Sequence, residues 1–360
     1  MRAAMLVVLT GCSQILGIGG FQVGDAGGDA SPPFAQRAYV KASNPDPGDG
    51  FGVAVALSAD GTTLAVAAYH EASAAIGVDG DQASNAKAAA GAVYLFTRMG
   101  ETWAQQAYLK ASNADASDQF GRSLSLSADG NTLAVGADGE ASVVTGVGGI
   151  QTGNTAASAG AVYVFARTGA SWAQTTYIKA SNTGAADHFG YAVALSGDGA
   201  TLAVGAPLVA GATAGIDGAS TETASSAGAA YLFALGPTTW SQQAYVKASN
   251  PTAGDRFGNA VRLSFDGATL AVAAPFEDSA SKGVNGNQTN ELATDAGAVY
   301  IFTHAATWSQ QAYVKASNTE ANDRFGIGLA LSDDGNTLAV GADGDDSGAA
   351  TAPDDAAMTD

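Results

Sequence analysis

The stretch KASNTGAADHFGYAVALSGDGATLAVGAP, residues 179–207, determines the fold of this chain, because close copies of it return along the sequence. Each copy carries Asp-x-Phe-Gly, then Asp-Gly, then Thr-Leu-Ala-Val, in the same order. The phenylalanines of the Phe-Gly pairs are 68 or 69 residues apart. A fixed period of this length predicts a repeat architecture. The five phenylalanines are Phe51, Phe120, Phe189, Phe257 and Phe325.

One repeat predicts four short strands, because apolar runs rich in valine, leucine and tyrosine alternate with glycine, asparagine and aspartate. In the first full copy the predicted strands are Phe51–Ser58, Thr63–Ala68, Gly91–Thr97 and Trp103–Ser112. No stretch shows sustained helical periodicity. Four antiparallel strands repeated in sequence are typical of a propeller blade. We therefore predict an all-β fold, a β-propeller of about five four-stranded blades.

The residues around each Phe-Gly pair resemble the FG-GAP repeat, with Phe189-Gly190 followed by Val204-Gly205-Ala206-Pro207 as a clear copy. The resemblance covers nearly all of residues 39–346. That family includes the propeller of integrin alpha chains and many bacterial surface proteins, so it implies a propeller and a ligand-binding face. Calcium-binding integrin blades carry several acidic residues between strands one and two, whereas this hairpin carries only Asp60. One carboxylate cannot fill a calcium shell, so we predict that Asp60 stabilises a turn.

Composition limits the partners of this chain. It has 360 residues, including 47 glycines, and its 15 basic against 34 acidic residues give a formal charge of −19. Such a charge argues against binding nucleic acid or an anionic bilayer through a basic patch. We expect the partner to be a protein or carbohydrate ligand whose identity the sequence does not specify.

The single cysteine lies in Leu9-Thr10-Gly11-Cys12, which ends a short apolar run and resembles a bacterial lipobox. The resemblance implies that residues 1–12 are a lipoprotein-type signal segment and that Cys12 carries lipid. Residues 13–36 would be a glycine-rich tether. The chain would then be exported and lipid-anchored in the bacterial cell envelope, touching the membrane only through the anchor, or else secreted. An incidental cysteine is the alternative.

The repeats predict an incomplete last blade. The fifth copy supplies strand one (Phe325–Ser332) and strand two (Thr337–Ala342), and residues 347–360 form a truncated loop or tail. At the front, Ala38–Ser43 matches strand four of the other copies without strands one to three. The propeller domain then spans residues 37–346. Its open blade edge predicts self-association, completion by another chain, or membership of a longer repeat protein.

The connections between strands two and three are long, for example Tyr69–Ala90, and they lie at the same end of the blade as the Phe-Gly pairs. Loops of this length that recur in a compact domain more often have a function than not. We therefore predict that the end of the propeller with these loops is its ligand-binding face. Oxygen-rich side chains on these glycine-bent loops make calcium the one candidate ion, with solvated turns as the alternative. No other cofactor is expected. The weak metal candidates are Glu71, Asp79, Asp81, Glu140 and Glu277.

Two further sets of recurring residues have local interpretations. The aspartates of Asp-x-Phe-Gly are predicted to cap turn amides beside a buried phenylalanine. The repeated tryptophans follow the strand register and are predicted to pack between blades, although an exposed stack of them would indicate carbohydrate binding. The aspartates are Asp49, Asp118, Asp187, Asp255 and Asp323, and the tryptophans are Trp103, Trp172, Trp240 and Trp308.

Nothing in the sequence indicates catalysis. The three histidines, His70, His188 and His304, occupy different places in the repeat, and His188 is interpreted as merely filling the variable position of Asp-x-Phe-Gly. No nucleophile or metal-ligand motif is present. We predict a non-enzyme: an exported, surface-anchored propeller that binds or adheres through its long loops. A passive structural envelope protein and a propeller hydrolase are the alternatives.

Overall fold

The computed structural model describes residues 36–346 except 220 and 222. Their secondary structure consists of β-strands, with no helix among the described residues and hence none that could span a membrane. The predicted signal segment with Cys12, the tether up to residue 35 and the tail from residue 347 lie outside the described residues.

The strands follow the repeat. The first blade contains β1 (Phe51–Leu57), β2 (Thr63–Ala68), β3 (Ala92–Met99) and β4 (Thr102–Leu109). The second contains β5 (Ser123–Leu126), β6 (Thr132–Ala137), β7 (Ala161–Thr168) and β8 (Ser171–Ile178). The third contains β9 (Ala192–Leu195), β10 (Thr201–Ala206), β11 (Ala229–Leu235) and β12 (Trp240–Val246). The fourth contains β13 (Ala260–Leu263), β14 (Thr269–Ala274), β15 (Ala298–His304) and β16 (Trp308–Val314), and the fifth has β17 (Gly328–Leu331) and β18 (Leu338–Gly341).

Each of the first four sheets is a four-stranded antiparallel meander in chain order, and the fifth has two strands. The first strands of successive sheets pack side by side, β1 on β5, β5 on β9, β9 on β13 and β13 on β17, and so lie around one axis. The five sheets form an arc that does not close within the described residues. The all-β propeller with an incomplete last blade is confirmed.

The outer strand of the first blade ends earlier than the sequence predicts. The prediction extended it to Ser112, but β4 ends at Leu109. The amide of Lys110 donates to the carbonyl of Gly77 at 2.8 Å, so the long loop replaces β3 as its partner there.

At the front of the chain, the segment that matches a fourth strand is not itself a strand. Its residues Val40 and Ala42 are buried against Val66 and Tyr94 of the first blade. They correspond in the repeat to Leu109 and Ala111, which pack between the first and second blades. The segment therefore covers the first blade as the outer strand of a preceding blade would.

Aromatic side chains form the core of every complete blade. In the second blade the ring of Phe120 contacts Tyr163 and Phe165 edge-on, with centroids 5.4 and 5.9 Å apart. All three rings are fully buried. Of the four tryptophans predicted to pack between blades, Trp172 and Trp240 are buried, whereas Trp103 and Trp308 are half-buried. Such rings bury about 150–250 Å² each and dominate the apolar stabilisation.

Backbone contact between blades explains a recurring glycine. Gly160 precedes β7 with φ +82°, and a Cβ there would lie 2.0 Å from the carbonyl oxygen of Phe189. The same close approach recurs at Gly91, Gly228 and Gly297. Only a residue without a side chain fits, because the opposing atoms are backbone and cannot rotate away.

We expect Gly160→Ala to destabilise the protein more than Gly146→Ala. Both glycines have positive φ, but nothing lies within 4 Å of a Cβ at Gly146. The control therefore measures only the left-handed strain, about 1–2 kcal/mol. Gly160→Ala adds an overpacking cost of about 1–3 kcal/mol. Urea unfolding followed by tryptophan fluorescence measures both, and equal losses would contradict the proposed blade contact.

Candidate functional site

One end of the propeller contains two kinds of connection. The second strand of each blade ends there, and the Phe-Gly pair that precedes the first strand of the next blade lies there too. The long loops and the Asp-x-Phe-Gly turns are therefore neighbours, as the antiparallel strand order requires.

The long loop of the first blade is docked on its outermost strand. Val78 bridges Leu109, and the amide of Asp79 donates to the carbonyl of Tyr108 at 2.8 Å. In return, Asp79 Oδ1 accepts from the amide of Tyr108 at 2.8 Å. Asp217 and Asn285 make the same reciprocal contact in the third and fourth blades. Asp81 is exposed and accepts from the amide of Ala83. The Gly-Val-Asp-Gly motif thus attaches the loop to the sheet.

The glutamates of these loops form buried ion pairs. Lys110 Nζ lies 2.7 Å from Glu71 Oε2, and the side chains are 0% and 1% exposed. Asn44 donates to the other carboxylate oxygen of Glu71. Burial lowers the pKa of Lys110, and the hydrogen bond and charge of Glu71 oppose that shift. The same pair recurs as Lys179 with Glu140 and Lys315 with Glu277, each at 2.7 Å.

The metal candidates thus have other partners in the structure. The cation that Glu71, Glu140 and Glu277 hold is a lysine ammonium, and Asp79 accepts from the strand. Among residues 36–346, leaving out 220 and 222, no three His, Cys, Asp or Glu side chains converge on one point. Calcium binding by the five candidates stays a prediction. Sequence reasoning missed the lysine partner, although the lysine and the acid recur with the same period.

The predicted turn roles of the recurring aspartates are confirmed. Asp60 Oδ1 accepts from the hydroxyl of Ser58 at 2.7 Å and from the amide of Thr62 at 2.9 Å. Asp118 Oδ2 accepts from the amide of Asp115 at 2.7 Å, which caps the turn before Phe120. Burial removes the carboxylates of Asp118 and Asp255, both in Asp-x-Phe-Gly turns, from water. It therefore raises the pKa of each to about 7.

A pocket of about 420 Å³ opens at the axis on this end of the propeller. We call it the axial pocket. It lies among the Phe-Gly turns and the ends of the second strands of blades one to four, so several blades contribute to it. The lining residues that bear on its chemistry are Tyr69, Arg122, Asp138, His188, Tyr191 and Arg256.

Two arginines of the axial pocket are held by aromatic rings. The guanidinium carbon of Arg122 lies 4.4 Å from the ring centroid of Tyr191 and 6.0 Å from that of Tyr69. Arg256 lies 4.5 Å from the ring of Phe276. In the described part of the chain neither arginine forms a salt bridge. Stacking orients the guanidinium groups and leaves their N–H donors available for an anion.

A histidine and an aspartate form a further pair in the axial pocket. His188 Nδ1 lies 3.0 Å from Asp138 Oδ2, and the side chains are 28% and 4% exposed. Asp138 Oδ1 is buried and accepts no hydrogen bond from a described residue. The interpretation of His188 as a mere filler of the repeat was therefore incomplete, because the residue lines a pocket and pairs with a buried carboxylate.

The sequence did contain a signal for His188 and Arg256 as pocket residues, namely the variation at one position of the otherwise constant Asp-x-Phe-Gly motif. The second residue of Asp-x-Phe-Gly is Gly50, Gln119, His188, Arg256 and Arg324 in the successive copies. These last four have φ between 55 and 58°, so the backbone is the same while the side chain changes. A variable side chain on a constant turn at the axis identifies candidate ligand-contacting residues.

Comparison with known proteins agrees with this architecture. The sequence model of the FG-GAP repeat matches residues 103–165, 172–233, 240–302 and 308–354. The chain belongs to the FG-GAP repeat family. Each of the first three matches begins on the outer strand of one blade and ends on the third strand of the next, so this family's sequence unit is offset from the blade by one strand.

Two solved structures to which this chain is similar have low sequence identity to it. A periplasmic gluconolactonase of Pseudomonas aeruginosa is 15% identical with a TM-score of 0.46, covering 85% of this chain and 67% of that one. A putative 6-phosphogluconolactonase from Bacteroides uniformis is 11% identical with a TM-score of 0.45, covering 80% and 77%. A comparison with the curated proteins gives no match.

We expect Glu71→Gln to destabilise the protein by about 3–5 kcal/mol, because it leaves the ammonium of Lys110 buried beside a neutral amide. Asp115→Asn is the matched control, since its partner Lys87 is a third exposed and such pairs contribute at most about 1 kcal/mol. The double variant Glu71→Leu with Lys110→Met should recover most of the loss. Urea unfolding measures all three, and equal losses in Glu71→Gln and Asp115→Asn would contradict a buried pair.

We expect Asp118→Asn to change how stability depends on pH. The folded-state pKa of Asp118 is raised to about 7, so its contribution to stability is complete below about pH 4 and is lost as the pH rises through 7. The asparagine keeps the cap without ionising. Relative to wild type, the variant should gain about 1–3 kcal/mol between pH 4.5 and 8.

Asp266→Asn is the control without a pH effect in this range, because hydrogen bonds from Ser264 and the amide of Ala268 lower the pKa of Asp266. This carboxyl is ionised in both the folded and the unfolded state from pH 4.5 to 8, so the stability of the variant relative to wild type should stay nearly constant there. Urea unfolding at the two pH values measures both variants, and parallel curves for wild type and Asp118→Asn would refute the raised pKa.

Proposed function

We propose that this FG-GAP propeller is an exported, surface-anchored, non-catalytic binding module that takes an anionic group of its ligand in the axial pocket. The observation that carries the proposal is the pair Arg122 and Arg256, which line one pocket and form no salt bridge with a described residue. Export and anchoring rest on the lipobox-like Leu9-Thr10-Gly11-Cys12.

Charge distribution supports an anionic ligand. The chain carries 34 acidic and 15 basic residues, yet two arginines and His188 line this one pocket, with Asp138 as its acidic residue. A guanidinium group binds carboxylate or phosphate through two parallel hydrogen bonds. Because Arg122 stacks on Tyr191, little side-chain entropy is lost when the anion binds.

His188 adds a third polar contact. Asp138 engages Nδ1, so Nε2 is the ring atom that remains for a ligand. A histidine oriented by a carboxylate is also the arrangement of a general base, and this pair is the observation that favours the hydrolase alternative. Binding is the stronger proposal, because two arginines that form no salt bridge with a described residue suit an anionic group whether or not a reaction follows.

The long loops take a supporting role in this proposal. Since Asp79 and its counterparts attach these loops to the outer strands, the loops form a stable rim. Adhesion to a protein or carbohydrate would combine this rim with the axial pocket. A passive structural protein, the other alternative, requires no saturable ligand.

Substitution of the two arginines tests the proposal. Inorganic phosphate and D-glucuronate serve as probes in isothermal titration at low ionic strength. We expect saturable binding to wild type, and Arg122→Gln or Arg256→Gln should weaken it at least about tenfold, because each removes a charge-assisted hydrogen bond of about 1.5–3 kcal/mol. Arg98→Gln is the control, since Arg98 lies beside Thr62 at the opposite end of the first blade.

Two results would overturn this proposal. The first is that neither probe shows saturable binding to wild type. The second is that the double variant Arg122→Gln with Arg256→Gln binds the probe as tightly as Arg98→Gln does. The first result would favour a passive repeat protein, and the second would place the anion elsewhere on the molecule.

A further inference from the structure

A second pocket, of about 490 Å³, lies between the second and third blades. Three segments line it: the outer strand β8, the long loop of the second blade that is docked on β8, and the turn between β11 and β12. We call it the interblade pocket. All three segments belong to complete blades in the middle of the chain. Its volume lies within the range of about 300–1,000 Å³ that small-molecule sites occupy.

A departure from the repeat accounts for this space. Between the first and second blades, Gln106 Oε1 accepts a hydrogen bond from Trp172 Nε1 at 3.0 Å. One repeat later, Thr175 stands in place of Gln106, and Trp240 stands in place of Trp172. The hydroxyl of Thr175 donates to the carbonyl of Val164 in its own blade at 3.2 Å. The shorter side chain therefore does not replace the glutamine amide, and no described residue accepts from Trp240 Nε1.

Trp240 also lacks the cation that lies beside its counterpart. In the second blade the guanidinium carbon of Arg167 lies 5.7 Å from the ring centroid of Trp172, and the two residues pair across the hairpin. In the third blade the residue opposite Trp240 is Leu235. Trp240 thus keeps the position of Trp172 with neither its amide acceptor nor its cation, and it lines the pocket.

The lining of the interblade pocket is polar but uncharged. It contains no Asp, Glu, Lys, Arg or His from the described part of the chain, although the whole chain has a formal charge of −19. Hydroxyl and amide groups both donate and accept hydrogen bonds. In Gln174 the Oε1 atom is buried and accepts from no described residue. The residues with these groups are Gln151, Gln174, Thr175, Thr176, Thr238 and Thr239.

This lining selects among ligand classes. A charged ligand would lose hydration there without gaining a counter-charge, and an apolar ligand would leave the hydroxyl and amide groups unpaired. A ligand rich in hydroxyl groups can pair with both donors and acceptors. An indole adds an apolar surface together with one N–H donor.

We propose that the interblade pocket binds a neutral pyranose sugar, either free or as the terminal residue of a glycan. Trp240 Nε1 and Gln174 Oε1 would donate to and accept from its hydroxyl groups, and the carbon atoms of the indole would contact its C–H groups. This site is separate from the axial pocket, whose arginines suit an anion. The sequence predicted sugar binding only for an exposed stack of tryptophans, whereas this site uses one buried tryptophan at a pocket between blades.

Neutral glycosides test the proposal with the full chain. The probes are the methyl α-pyranosides of D-glucose, D-galactose and D-mannose, each used in isothermal titration. We expect at least one to bind saturably, with a dissociation constant on the order of 1 mM for a ligand of this size.

Thr175→Gln is the variant that closes the pocket. It introduces the residue that the other three complete blades carry at this position, namely Gln106, Gln243 and Gln311, so we expect it to fold. Binding of the glycoside should weaken at least about tenfold, because the amide would occupy the pocket and accept from Trp240. Gln243→Thr is the matched control, since it makes the reverse exchange in the third blade outside the pocket and should leave the affinity unchanged.

Trp240→Phe tests the same site independently. It keeps an aromatic ring in the core and removes the N–H donor, so binding should weaken at least about threefold. Arg122→Gln should not affect glycoside binding, and Thr175→Gln should not affect phosphate binding, so the two proposed sites can fail separately.

Three results would overturn the proposal of a sugar site. The first is that none of the three glycosides binds saturably to wild type. The second is that Thr175→Gln binds the glycoside as tightly as Gln243→Thr does. The third is that Trp240→Phe keeps the affinity of wild type.

Discussion

The phenylalanine of each Phe-Gly pair joins two blades, and the rest of the structure depends on this joint. The amide of Phe189 donates to the carbonyl of Ala159 in the second blade at 3.0 Å, while its ring packs on Tyr231 and Phe233 of the third. The backbone approach is close enough that residue 160 must be glycine. Each repeat therefore positions the next one through a rigid backbone contact and a buried aromatic cluster, which maintains the radial arrangement over successive blades.

The polar groups buried near this joint contribute more to selecting one arrangement of the loops and strands than to the net free energy of folding. An ion pair such as Lys110 with Glu71 gains in Coulomb energy about what it loses in hydration, so its main effect is to penalise arrangements that separate the charges. The third blade shows that the position tolerates an apolar residue, because Val209 stands where the other loops carry an acid. Burial of the Asp118 carboxylate, which caps a turn, has a cost in stability, since burial raises its pKa and so disfavours its ionised form in the folded state.

The constant scaffold explains how the axial pocket can vary. In the second to fifth copies the residue before the phenylalanine keeps one backbone conformation, with φ between 55 and 58°, although its side chain differs between copies. Substitution there changes the chemistry at the axis while the blade contacts stay as they are. In this chain the axial pocket receives His188 and Arg256 from that position, and Arg122 from the position that follows the Phe-Gly pair.

The sequence by itself determined the period, the four strands of each blade, the Asp60 turn and the incomplete fifth blade, because these depend on residue preferences and hydrogen bonds that reach only a few positions. The tertiary structure decided which residues meet across longer intervals. Lys110 pairs with Glu71, His188 with Asp138, and Arg122 stacks on Tyr191, each across tens of residues. Local patterns carry no information on such pairs, since radial packing of the blades brings together side chains that lie up to one period apart in the chain. The early end of β4 has the same cause, because a loop more than thirty positions upstream takes over its hydrogen bonds.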